Sequence, residues 1–138
     1  MVESILHKRL VTQLQTWVTN YSVEEKIIYC DYEYSFYNKD HPPLVEGYMP
    51  DIYAISRKTK IIILGEAKTT QKDLESEHSE KQISAFLNYC SNQNNSVFVL
   101  AVPFIFVNCG KSFLSFLKRT NNISNVETHV INSFGINM

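Results

Sequence analysis

Apolar residues recur at intervals of three and four over residues 2–18, at Val2, Ile5, Leu6, Leu10, Leu14, Trp17 and Val18. That spacing lines one face of an amphipathic helix. Residues 27–37 are rich in β-branched and aromatic side chains and poor in helix formers, which predicts a long strand. The run Asn38-Lys39-Asp40-His41-Pro42-Pro43 ends it. Residues 51–56 and 61–68 read as two further strands. The polar Arg57-Lys58-Thr59-Lys60 between them predicts a hairpin, although it lacks the favoured Asn-Gly or Asp-Gly.

After a polar connection, Ile83, Phe86, Leu87 and Cys90 mark a second helix over 79–90, with acidic residues clustered upstream, where a helix N-terminus favours them. Residues 97–102 are almost wholly apolar, as in a central strand covered on both faces. Asn108 is placed to cap a short helix carrying Phe113, Leu114, Phe116 and Leu117, and residues 126–134 alternate well enough for a last strand. The order is α-β-β-β-α-β-α-β. Antiparallel strands joined through a helix to a parallel strand give an α/β fold, a mixed β-sheet flanked by helices.

No repeat or low-complexity tract divides the 138 residues, so one domain over 1–138 is expected. With 44% hydrophobic and 20% charged residues, the chain is neither disordered nor fibrous. Its longest nearly apolar run, residues 97–107, is interrupted by Pro103 and falls short of the roughly 20 residues that span a bilayer, so no membrane partner is expected. The start, Met1-Val2-Glu3-Ser4, has no basic or apolar signal region, which points to a cytoplasmic location. Cys30, Cys90 and Cys109 are odd in number and widely spaced, and read as reduced thiols. A formal net charge of −1 gives no global attraction to nucleic acid, so any such contact must come from a local patch.

Chemistry concentrates in Pro50-Asp51 and Gly65-Glu66-Ala67-Lys68. If the hairpin loop is even-numbered and centred between Lys58 and Thr59, residue i faces residue 117 − i, and Asp51 faces Glu66. Directly opposed residues share a face, and the strand period of two adds Lys68 to it. Two carboxylates that close repel each other and call for a cation, and their hard oxygens suit Mg²⁺ or Mn²⁺. The Ala67 carbonyl is a further possible ligand. Such an ion polarises a phosphoryl oxygen while Lys68 holds the attacking water, which describes a phosphodiester hydrolase. The competing structural reading is a plain Asp51–Lys68 cross-strand pair with Glu66 solvated.

With Pro50-Asp51 followed by Glu66-Ala67-Lys68 in an α-β-β-β-α-β order, the chain resembles the PD-(D/E)XK nuclease superfamily over roughly residues 2–102. The resemblance implies a restriction-endonuclease-like fold and a metal-dependent DNA endonuclease, similar to compact Holliday-junction resolvases or the VRR-NUC type, often acting as homodimers. It assigns the metal to Asp51 and Glu66 and the water to Lys68. It also suggests Glu3 as a metal-side carboxylate on the first helix and Gln82, in Gln82-Ile83-Ser84-Ala85-Phe86, as a site residue. Glu3 fits a helix-dipole partner equally well, and Ser79-x-x-Gln82 has the spacing of a capping box. A non-catalytic nucleic-acid-binding or assembly module with the same fold is the alternative.

His7, His41, His78 and His129 show no zinc-ligand spacing. Of these only His78, just before the second helix, attracts interest, placed either to meet a phosphate or simply to face water. Phe104, Phe106, Phe113 and Phe116 are available for a subunit contact or for the core. Nucleotide-binding glycine loops and serine-hydrolase elbows are absent from the sequence.

Overall fold

The computed structural model describes residues 4–31 and 41–134. Ser4 caps α1 (Ile5–Asn20), its hydroxyl accepting from the His7 amide at 3.0 Å, so the helix begins at Ile5 rather than at residue 2. Strand β1 (Lys26–Cys30) covers the first part of the predicted 27–37 strand, whose residues 32–37 lie outside the described residues. Strands β2 (Ile52–Ser56) and β3 (Ile62–Ala67) form the expected hairpin, pairing Ile52 with Gly65 through Ile55 with Ile62. That is the 117 − i register. The Ser56 amide donates to the Ile61 carbonyl at 2.9 Å, and Lys60 takes a left-handed φ of 65° to close the four-residue turn.

The connection after β3 contains a short helix, α2 (Gln71–Leu74), which a purely polar reading of that stretch does not predict. Helix α3 (Glu77–Ser91) is capped by Ser76, whose hydroxyl accepts from the Ser79 amide at 3.1 Å. Ser79 therefore lies inside the helix, donating its hydroxyl to the Asp73 carbonyl, and the Ser79–Gln82 capping box does not form. Strand β4 (Ser96–Ala101) leads through a 3₁₀ turn (Phe104–Phe106) into α4 (Val107–Thr120). The chain enters α4 already wound, so Asn108 is not its cap and no side chain bonds its first amides. Strand β5 (Glu127–Ile131), the last element among the described residues, falls within the predicted 126–134.

Among the described residues five strands lie in the order β1-β2-β3-β4-β5, with β1–β2 and β2–β3 antiparallel and β3–β4 and β4–β5 parallel. The fold is α/β, a mixed sheet with helices on both faces. Both parallel crossovers move the same way across the sheet, so α3 and α4 share a face. There Ile83, Phe86, Leu87, Leu114 and Leu117 cover Leu64, Phe98, Leu100 and Val130. On the other face Leu10, Val11, Leu14 and Val18 of α1 cover Ile52, Ala54, Ile63, Val97 and Val99. Every residue of β3 and β4 is buried, as the unbroken apolar runs require. No helix among the described residues is long and apolar enough to cross a membrane, Cys30 is buried, and Cys90 and Cys109 are free thiols.

Candidate functional site

Strand β3 is central and fully covered through Leu64, then delivers Glu66 and Lys68 to the end of the sheet. Ala67 points toward α1, where it joins the apolar layer, so Glu66 and Lys68 project to the α3 side. The hairpin register brings Asp51 alongside. The Ala67 amide donates to Asp51 Oδ2 at 2.8 Å, and the Asp51 amide donates to Glu66 Oε1 at 3.1 Å. These reciprocal bonds lock the two acidic residues together before any ligand is considered.

Lys68 Nζ donates to Gln82 Oε1 at 2.7 Å and lies 3.5 Å from Glu66 Oε2. Gln82 projects from the second turn of α3, whose start Ser76 fixes. Asp51, Glu66, Lys68 and Gln82 are 7%, 5%, 5% and 8% exposed. Burying three ionisable groups and an amide at one place is costly unless their charges and hydrogen bonds are matched. The match is incomplete. Burial, followed by the charge of Asp51, pushes the Glu66 carboxyl well above its ordinary value, and the Lys68 ammonium and the Asp51 amide only partly oppose this. One ammonium faces two carboxylates.

The structure thus brings together Asp51, Glu66, Lys68 and Gln82, and places Ala67 at the joint between them. Glu3 lies outside the described residues. His78 is exposed and packs edge-on against Tyr48, with ring centroids 5.9 Å apart. Phe104 and Phe116 are exposed, and Phe113 is buried.

The sequence reading did not single out His7, and the structure adds it. Its Nε2 lies 3.4 Å from Asp51 Oδ2, reaching the site from α1 on the opposite face of the sheet. The available signal is positional, since His7 precedes the buried Leu10, Val11 and Leu14 by three, four and seven residues and so shares their face.

As a cation site, the cluster offers two buried carboxylates and the adjacent Ala67 backbone. Two adjoining buried carboxyl groups, from which a cation can displace the proton that burial favours on Glu66, fit a hard divalent ion completed by water. Among the described residues there is no group of three or more His, Cys, Asp or Glu side chains able to hold a metal, so side chains alone do not make a closed cage. Comparison of the chain with protein-family models, with curated proteins and with solved structures finds no match.

Proposed function

We propose that the chain is a Mg²⁺- or Mn²⁺-dependent endonuclease that hydrolyses phosphodiester bonds in DNA, with a restriction-endonuclease-like arrangement of the PD-(D/E)XK type. The observation that carries this reading is the paired Asp51 and Glu66 carboxylates at the end of the central strand, with the Lys68 ammonium beside them. Asp51, Glu66 and the Ala67 carbonyl are the ligands in this reading. When bound, the ion supplies Lewis-acid polarisation of a phosphoryl oxygen. Lys68, steered by Gln82 Oε1, orients a water through its remaining protons and offsets charge developing on the phosphoryl group. Burial raises the Glu66 carboxyl, so binding the ion through it would displace a proton.

Labelled duplex, single-stranded and branched DNA incubated with Mg²⁺, Mn²⁺ or EDTA tests the proposal. Metal-dependent fragments are expected, and their absence with all three substrates refutes cleavage. A homodimer belongs to the same reading, because one site per chain cuts both strands most simply when an isologous pair presents two. The exposed Phe104 and Phe116 are its candidate contacts, and light scattering at micromolar concentration checks the mass. The formal net charge of −1 favours a second reading, a non-catalytic nucleic-acid-binding or assembly module. Binding without cleavage in the same assay selects it.

A further inference from the structure

We infer that His7 is a positioning residue for Asp51, and that through it α1 sets the affinity of the site for its divalent ion. The inference rests on the metal-dependent reading above. Asp51 Oδ2 is shared by two groups from different elements, the Ala67 amide at 2.8 Å and His7 Nε2 at 3.4 Å. With the Nε2 proton present, His7 donates to this oxygen. The carboxylate is then held by a strand amide and by a helix side chain, and its second oxygen, Oδ1, is turned to a fixed direction.

Three features of the fold support this role. The imidazole occupies the sheet-facing side of α1, above Leu10, Val11 and Leu14, where a polar ring is costly unless it is used. Its side chain is 22% exposed, and that of Asp51 is 10% exposed, so water competes weakly for the contact. The helix itself is seated without play next to the site. A β-carbon built on Gly65, the residue before Glu66, would stand 3.1 Å from Leu14 Cδ2, so backbone and helix already meet there. Long hydrogen bonds at unliganded sites commonly tighten when the ligand arrives, and 3.4 Å is a separation of that kind. Groups that orient a metal-binding carboxylate, without touching the ion, typically change affinity by about 10- to 100-fold.

Calorimetric titration of Mn²⁺ into the full chain tests the role with two variants. His7→Phe keeps a ring on the apolar face and removes the donor, and it should bind Mn²⁺ about 10- to 100-fold more weakly with an unchanged circular dichroism spectrum. His7→Gln restores an N–H donor of similar reach and should return the affinity to within about threefold of wild type, as an oriented carboxylate requires. Wild-type affinity in His7→Phe overturns the inference, and so does a His7→Gln variant as weak as His7→Phe. Nitrogen modulation in the spin-echo spectrum of bound Mn²⁺ also overturns it, because His7 is then itself a ligand. If wild type binds no Mn²⁺ at all, it is the metal-dependent reading that fails, and the inference falls with it.

Discussion

Gly65→Ala is a one-atom perturbation placed between the core and the site. A β-carbon at this position would lie 2.5 Å from Ile52 Cγ2 and 3.1 Å from Leu14 Cδ2. Carbon atoms in contact settle at about 3.5–4.0 Å, so Ile52 must retreat by roughly 1 Å or more. Ile52 is paired directly across from Gly65, is fully buried and is the immediate neighbour of Asp51, so it has little room to move and carries the site with it. Overpacking of this kind costs about 1–3 kcal/mol. Ile52→Ala removes the offending Cγ2 and on its own costs about 2–5 kcal/mol for the cavity it leaves. In the double variant the new methyl occupies part of that cavity. The pair should therefore be less destabilised than the sum of the single variants by at least about 1 kcal/mol. Urea denaturation of the four proteins in EDTA, followed by circular dichroism, measures the cycle. Additivity within about 0.5 kcal/mol refutes the reasoning, since the two side chains then do not compete for the same space.

Asp51→Ala should fold, fail to bind Mn²⁺ by calorimetry and cleave no DNA, because in the proposed site it removes a ligand and relieves like-charge repulsion. Lys68→Ala should still bind Mn²⁺ but lose at least about 10²-fold in cleavage rate, and Lys68→Arg should not restore it, since a planar guanidinium cannot replace a compact ammonium. In metal-free protein the raised carboxyl of Glu66 makes the folded state hold a proton that the unfolded chain releases near pH ~4.3. Stability contributed by this group is full below that pH and falls as pH rises toward the folded value, by up to about 1.4 kcal/mol per unit. Glu66→Gln should flatten this decline in urea melts at pH 5 and 7 in EDTA, and an unaltered slope rejects the assignment.

Periodicity in the sequence located the elements of the sheet and their order. Strand alternation, being local, also put Glu66 and Lys68 on one face, while the register between β2 and β3 was legible only on the assumption of an even loop centred between Lys58 and Thr59, which the structure has. Asp51 beside Glu66 follows from that register once the loop centre is given. Capping was not legible to the same degree. Ser76-x-x-Ser79 and Ser79-x-x-Gln82 offer overlapping N-terminal signals, and the buried Leu74 with the Ser79–Asp73 bond chose the first. That choice left the Gln82 side chain free of capping and able to hold Lys68. The missed 3₁₀ turn before α4 displaced Asn108 in the same way, through geometry inherited from the preceding residues. His7 meets Asp51 across 44 residues and from the far face of the sheet. Helical periodicity gives the face His7 occupies, but only the seating of α1 against β3, through Leu14 and Gly65, decides which strand end that face meets.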